Sequence, residues 1–282
     1  MTTVGILGGG QLARMLALAG APLGLRFLVM DSVADACAGQ FAPMVVGDYR
    51  DEACLGEFAS RVDLATFDFE NVPADSAQWL AERIPVFPAP RALAVAQDRL
   101  AEKSLVRELG IATPAFHAIA TRADLDAALD SIGTPAILKT RRLGYDGKGQ
   151  FRLRSRADAD AAWNELGAQA ATVGLILEGF IAFQRELSVV AVRSRSGEFR
   201  TWSLTENWQS AGILAASLAP AHVDAGLAGQ ALAIARRIVG SLNWRKPEQM
   251  VRADPGEPLY DPSELWGVLP TDTRKPYDVR EV

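Results

Sequence analysis

The chain has 282 residues, 49% of them hydrophobic and 22% charged, with a net charge of -5. That is the balance of an ordinary globular protein with length enough for two domains, and its mild acidity gives no electrostatic footprint for DNA or RNA. The two cysteines, Cys37 and Cys54, and the two histidines, His117 and His222, have no metal-type spacing, which argues against a zinc site and for reduced thiols. No apolar stretch is long enough to cross a membrane, and the start has no basic leader; the expectation is a cytoplasmic protein.

In chain order, Val4 to Leu7 is an apolar run closed by Gly8-Gly9-Gly10, which predicts a buried strand and a tight turn. Gln11 to Ala19 places Leu12, Met15, Leu16 and Ala19 at helical spacing. Strands are predicted at Arg26 to Met30, with Asp31 at the end, at Met44 to Val46, at Asp63 to Phe67 and at Val86-Phe87, with a helix over Ser76 to Ile84. Strands alternating with helices imply an α/β fold with a parallel sheet covered on both faces. Ligands in such sheets bind beyond the carboxyl ends of the strands. Gly8 to Gly10, Asp31 and the Phe67 to Glu70 group all fall there.

Pro85, Pro88 and Pro90 mark a boundary, and a single helix is predicted from Leu93 to Leu109, stopped by Gly110. A short helix at Asp124 to Leu129 precedes a strand at Ala136 to Thr140. The segment Gly144 to Gln150 then reads as a glycine hairpin running into a strand at Gln150 to Leu153. A helix at Ala157 to Leu166, strands at Leu175 to Glu178, Glu186 to Arg193 and Phe199 to Leu204, and an amphipathic helix at Ala225 to Val239 follow. After Trp244 prolines crowd the chain, periodicity is lost, and an extended tail is expected.

Three segments carry chemistry. The turn Gly8-Gly9-Gly10-Gln11-Leu12-Ala13 fits the dinucleotide fingerprint, with Asp31 where a ribose-binding carboxylate would sit; it equally suits a mononucleotide phosphate or a purely structural turn. The Gly144 to Gln150 hairpin is not a Walker A loop, because Gly149 and not Ser or Thr follows Lys148. A hairpin of glycines and one lysine still suits closing over a polyphosphate; an ordinary solvated hairpin is the bland reading. Lys139, inside an apolar strand, needs an anionic partner if buried. Glu178, ending another apolar strand, and Glu186 can accept hydrogen bonds from an adenine amine or ribose hydroxyls, although a surface ion pair between Arg185 and Glu186 is a common alternative.

The order and spacing of several segments are specific beyond any one glycine motif. They are Gly8 to Met15, Thr66 to Pro73, Gln97-Asp98-Arg99 leading to Lys103, Lys139 to Arg142, Gly144 to Gln150, Glu178-Gly179-Phe180 and Arg185 to Ser188. Together they resemble the N5-carboxyaminoimidazole ribonucleotide synthetase family of ATP-grasp enzymes over roughly Met1 to Asn243. The resemblance implies a Rossmann-like pre-ATP-grasp domain at 1–92, a linker helix and ATP-grasp lid at 93–185, a partial ATP-grasp body at 186–244 and a tail of other origin at 245–282. It implies an ATP-dependent ligase of purine biosynthesis: ATP activates bicarbonate as carboxyphosphate, and the amine of aminoimidazole ribonucleotide captures the carbon dioxide released. Gln11, Leu12, Arg14 and Glu70 would bind that ribonucleotide. Arg99, Lys139 and the hairpin residues Gly144, Tyr145, Asp146, Gly147, Lys148, Gly149 and Gln150 would bind ATP phosphates. Glu178, Gly179, Phe180 and Ile181 would line the adenine, and Glu186 would hold the ribose. Magnesium and a homodimer are implied as well; no residue is assigned a catalytic or metal-ligating role.

This sequence departs from the family pattern in two places. Gln209 stands where the family commonly has a histidine before Gly212-Ile213-Leu214. The family continues past Leu242 into strands carrying acidic magnesium ligands, whereas here the chain from about residue 245, ending Arg274-Lys275-Pro276-Tyr277-Asp278-Val279-Arg280-Glu281-Val282, resembles a fragment of the carboxyltransferase subunit of acyl-CoA carboxylases. An open sheet edge with an exposed apolar face is therefore expected in the second half, with Met1 to Pro90 the more stable part. The alternatives are an ATP-binding fragment without turnover and, on the first glycine turn and Asp31, an NAD-dependent oxidoreductase.

Overall fold

The computed structural model describes residues 1–144, 148–194, 196–210 and 213–242. The expectations for Tyr145, Asp146, Gly147 and the tail from about residue 245 lie outside the described residues. The fold is α/β. The chain forms two compact units: Met1–Ala94 with Ala191–Arg200 and residues 239–242, and Val95–Val190 with Thr201–Ile238.

The first unit is built on a four-stranded parallel sheet. Its strands are β1 (Thr3–Leu7), β2 (Arg26–Asp31), β3 (Met44–Val46) and β4 (Leu64–Phe67), in the order β3-β2-β1-β4. Side chains alternate across it. Val4, Ile6, Phe27, Val29 and Leu64 face helix α1 (Gln11–Gly20), while Leu7, Leu28, Met30, Val45 and Ala65 face α2 (Glu52–Ala59) and α3 (Ala74–Ala81). Helices thus cover both faces, as a parallel sheet requires. Asp51 starts α2 by accepting from the backbone N–H groups of Ala53 and Cys54 at 2.8 and 3.4 Å.

The face of α1 corrects the sequence reading. Its buried residues are Ala13, Ala17 and Gly20; Leu12 and Met15 are 60% and 54% exposed. Small residues let the helix lie close to the sheet, so a face chosen by size alone points the wrong way. Val86-Phe87 is not a strand but one bridge, between Ala65 and Val86, because the flanking Pro85 and Pro88 have no N–H to give a ladder. The helix expected at Ser76 to Ile84 spans Ala74–Ala81.

Where the chain passes from the first unit into the second, the expected helix is corrected. The run expected as one helix from Leu93 to Leu109 is α4 (Pro90–Ala96) and α5 (Arg99–Glu108), broken at Gln97 and Asp98. Asp98 has an extended backbone and accepts from the N–H of Leu100 at 2.9 Å, so it acts as the N-cap of α5 and not as a mid-helix residue. The next sheet is antiparallel, from β5 (Phe116–Ile119), β6 (Ala136–Thr140), β7 (Gln150–Leu153) and β8 (Leu175–Gly179), in the order β5-β8-β6-β7. One face, with Ala136, Leu138, Leu153, Leu175 and Leu177, packs on α6 (Arg122–Ile132) and α7 (Ala159–Leu166). A reciprocal capping box between Thr121 and Asp124 starts α6 two residues before the helix expected from Asp124.

The run Glu186 to Arg193 is not one strand. It divides into β9 (Glu186–Ser188) and β10 (Ala191–Arg193), which pair in different sheets, β10 with β11 (Phe199–Thr201). β9 pairs with β12 (Thr205–Ser210), and β12 with β13 (Ile213–Leu218). Every residue of β13 is exposed, and it is a sheet edge among the described residues, consistent with the open edge expected in this half. Helix α8 (Ala225–Leu242) closes the described chain, and no described helix is long and apolar enough to cross a membrane.

Candidate functional site

In the first unit the expected ligand-binding turn is held by the protein's own carboxylates. Gly9 N–H donates to Asp31 Oδ2 at 2.6 Å and Gly10 N–H to Asp68 Oδ2 at 2.8 Å. These are amides that a dinucleotide pyrophosphate would otherwise occupy. Gly10 is glycine because of that approach: a Cβ there would stand 2.7 Å from Asp68 Oδ2. Asp31 also accepts from Val33 N–H at 2.8 Å, which leaves its carboxylate serving the turn and not a ribose. Tyr49 lies against this group; burial first, then the charge and hydrogen bond of Asp31, push its hydroxyl above the usual phenol range, so it remains a donor.

The expected ribonucleotide residues lie on this end of the sheet. Gln11 and Leu12 are exposed on the first turn of α1, and Arg14 is half-buried with its guanidinium 5.0 Å from the Phe41 ring. Glu70 is exposed just beyond β4, in the segment whose Asp68 and Phe69 N–H groups donate to Leu7 O at 2.8 and 3.4 Å. Cys37, read from the sequence as a reduced thiol, has its Sγ 4.0 Å from Gln11 Oε1.

Asp68 carries a testable electrostatic cost. Burial raises its pKa; hydrogen bonds from the Ala13 and Gly10 amides pull it down, and the Asp31 and Glu70 charges raise it again, leaving it above the ordinary value. A carboxyl with a raised folded pKa contributes stability that is full below its unfolded value and is lost as pH rises through the folded value. Asp68→Asn keeps an acceptor for Gly10 and drops the charge. The variant should melt above wild type at pH 7, with the difference vanishing near pH 3, in thermal scans at both values. A deficit at pH 7 would contradict this.

The second unit gathers most of the expected nucleotide residues around one face of the antiparallel sheet. Ile137 pairs with Glu178 and Lys139 with Ile176, so Lys139 and Glu178 project diagonally from the face opposite the α6–α7 core. Both are 2% exposed, and Lys139 Nζ lies 2.8 Å from Glu178 Oε2. The anionic partner that a buried Lys139 requires is therefore the residue expected to line the adenine. Helix α5 covers the same face: Lys103 Nζ lies 3.5 Å from Glu178 Oε2, and one turn on Arg107 stands 4.5 Å from the Phe116 ring. Lys103 was assigned no role from the sequence; its spacing four residues after Arg99 on a helix was the available signal.

The glycine hairpin links β6 and β7 as expected, and its root is closed tightly. Thr140 N–H donates to Gly149 O at 2.8 Å. Gly149 has φ +67°, and a Cβ there would be 2.6 Å from the buried Thr140 Oγ1, so both conformation and space require glycine. Arg99 donates to Thr140 O at 2.9 Å and to Gly144 O at 2.7 Å. Lys148 is exposed on the described side of the hairpin, and Gln150 begins β7. Asp98 is gripped by Arg141 through Nε at 3.0 Å and a terminal nitrogen at 2.5 Å. Burial alone would raise the Asp98 pKa; the hydrogen bonds from Arg141 and the Leu100 and Ala101 amides outweigh it and hold it below the usual carboxylate range.

Gly179 ends β8, Phe180 follows with the Arg152 guanidinium 4.2 Å from its ring, and Ile181 is 49% exposed. On the neighbouring sheet Gln209 Nε2 donates to Glu186 Oε1 at 3.2 Å. The residue standing in the family's histidine position and the expected ribose acceptor are thus in contact. Arg185 reaches buried Glu206 at 3.1 Å. Among the described residues no group of three or more His, Cys, Asp or Glu side chains could hold a metal ion.

A family model described as a ribonucleotide synthetase preATP-grasp domain matches residues 1–97, and an ATP-grasp domain model matches 104–245. The chain is 50% identical to N5-carboxyaminoimidazole ribonucleotide synthase of Pseudomonas aeruginosa, over 77% of this chain and 59% of that protein. It is 43% identical to the protein of that name from Brucella melitensis, over 86% of this chain and 67% of that one. It also matches a crystal structure of the Aspergillus clavatus synthase in complex with ADP and 5-aminoimidazole ribonucleotide. There the TM-score is 0.75 and the identity 26%, covering 85% of this chain and 62% of that one. The chain thus spans only about three fifths to two thirds of the length of these relatives.

Proposed function

The chain belongs to the N5-carboxyaminoimidazole ribonucleotide synthase family of ATP-grasp proteins, and from that premise we propose that it carboxylates 5-aminoimidazole ribonucleotide, using bicarbonate and ATP. The observation that carries the reading is the buried Lys139–Glu178 pair, with the partly buried Lys103 beside it, on the sheet whose glycine hairpin Arg99 holds at its root. What supports the reading is the chemistry gathered there: cations and backbone carbonyls of the kind that would suit a polyphosphate and an adenine amine.

The donor set fits a nucleotide. Arg99, Lys139, Gly144, Lys148, Gly149 and Gln150 would take the phosphates. Glu178, Gly179, Phe180 and Ile181 would take the adenine, and Glu186, oriented by Gln209, the ribose. Phosphoryl transfer demands little covalent chemistry of the protein; it demands charge neutralisation and alignment, which Arg99, Lys139 and Lys148 would supply. Gln11, Leu12, Arg14 and Glu70 would hold the aminoimidazole ribonucleotide at the carboxyl end of the parallel sheet. Family resemblance calls for magnesium, but the described residues provide no ligand set for it, and no step here is assigned to the ion. The self-capped Gly8 to Gly10 turn counts against the NAD-dependent alternative.

Phosphate release from ATP by the purified chain, with magnesium and bicarbonate, tests the proposal. Release that rises on adding aminoimidazole ribonucleotide is the expected result. ADP binding without release would instead support a nucleotide-binding protein that lacks turnover, and absence of both would remove the proposal.

A further inference from the structure

We propose that Asp98 is a positioning residue for the nucleotide phosphates: it anchors Arg141 at the root of the glycine hairpin and starts α5 so that Arg99 reaches that same root. The proposal rests on the nucleotide reading of this unit.

The contacts form a closed set. Asp98 is 5% exposed. One carboxylate caps α5 at Leu100 N–H (2.9 Å) and takes a forked pair of hydrogen bonds from Arg141 at 3.0 and 2.5 Å. Arg142 adds its charge, with Nε 3.6 Å away. A fork of this kind fixes the plane of a guanidinium as well as its distance. The Arg141 backbone is held too: its N–H donates to Gly174 O at 2.9 Å, and its carbonyl accepts from Arg99 N–H at 3.0 Å. Arg99 then reaches back to the carbonyls of Thr140 and Gly144, and Thr140 is bonded to Gly149. Two adjacent residues at the start of α5 therefore grip two adjacent residues at the end of β6, and through them Gly144 and Gly149 at the two ends of the hairpin.

A helix cap alone does not require this arrangement, because Leu100 N–H needs only one carboxylate oxygen. The second oxygen, and the charge that holds Arg141, serve the hairpin root. Arg141 and Arg142 stand against the one carboxylate and Arg99 is held at the same root by the Thr140 and Gly144 carbonyls, which gathers positive charge suited to an anion there, with Asp98 fixing the plane of Arg141.

The test compares ADP and adenosine binding by calorimetry for the full chain, Asp98→Asn, Arg141→Gln and the double variant. Asparagine caps helices about as well as aspartate, so Asp98→Asn should fold, and thermal melting checks that it does. The expected result is ADP affinity lowered about tenfold or more, the scale of one lost charge-assisted contact, with adenosine affinity unchanged within about twofold. Arg141→Gln should match it, and the double variant should be no worse than either single. Equal losses for ADP and adenosine, or no loss of ADP affinity, would overturn the proposal alone. A wild-type chain that binds neither ligand would remove the nucleotide reading and the proposal with it.

Discussion

Replacing Lys139 by methionine should destabilise the second unit by about 3 kcal/mol, and replacing Glu178 by leucine should cost more, about 5 kcal/mol. Lys139 and Glu178 are each 2% exposed and 2.8 Å apart. Removing one partner of such a pair leaves a charge that has already lost its water. The asymmetry comes from Lys103. After Lys139→Met, Glu178 keeps that ammonium at 3.5 Å; after Glu178→Leu, two cations face each other without the carboxylate between them. The double variant Lys139→Met/Glu178→Leu should be less destabilised than Glu178→Leu alone, because a buried pair can be exchanged for apolar side chains at small net cost. Urea unfolding of the four chains measures the coupling. Single-variant costs below about 1 kcal/mol, the range of an exposed pair, would show that the cluster is solvated and deny it a role as a preorganised site. ADP affinity should fall in both single variants, since the same two side chains are assigned to phosphate and adenine.

The parallel sheet was legible in the sequence because each of its strands is a short apolar run ended by a turn. Val4 to Leu7 and Arg26 to Met30 are continuous runs, as strands buried on both faces must be. The glycine hairpin was legible for the same local reason: Gly144 and Gly149 flank it, and strands lie on either side. What failed depended on partners distant in sequence. Asp98 caps α5 locally through Leu100 N–H, but the same carboxylate is also held by Arg141, 43 residues on, which no local pattern shows. The exposed side of α1 carries leucine and methionine and the buried side alanine and glycine, because Phe27 occupies the space that a larger residue at Gly20 would need. β12 and β13 were missed because Thr205–Ser210 is polar and Ile213–Leu218 exposed, so neither shows the alternation by which a half-buried strand is recognised. At the site, sequence reasoning asked for an anion near Lys139 and found Glu178 for another purpose; only the antiparallel register of β6 and β8 shows that these are one interaction. On the alternative oxidoreductase reading it also offered Asp31 as a cofactor ligand, where the fold uses it to hold Gly9.

The position of that first turn depends on the core beneath it, and Phe58→Ala should test how strongly. Phe58 is fully buried on α2, and its ring occupies the place where a side chain on Gly5 would be: a Cβ there would lie 2.4 Å from the ring Cζ. Gly5 is in the middle of β1, three residues before the turn that Asp31 and Asp68 cap, so the ring and the bare backbone fit as knob and hole. Emptying the knob should cost about 3–5 kcal/mol. Filling the hole by Gly5→Ala should also destabilise, by about 1–3 kcal/mol, since the ring must leave its rotamer or the strand must move. The informative variant is Gly5→Ala/Phe58→Ala: the added methyl enters the cavity that the missing ring leaves, so the double variant should be more stable than Phe58→Ala alone, a sign reversal for Gly5→Ala that simple loss of packing does not give. Denaturant unfolding of the four chains reads it directly. Additive costs would mean that β1 is not seated on Phe58, and that the glycine turn is placed by its carboxylates alone.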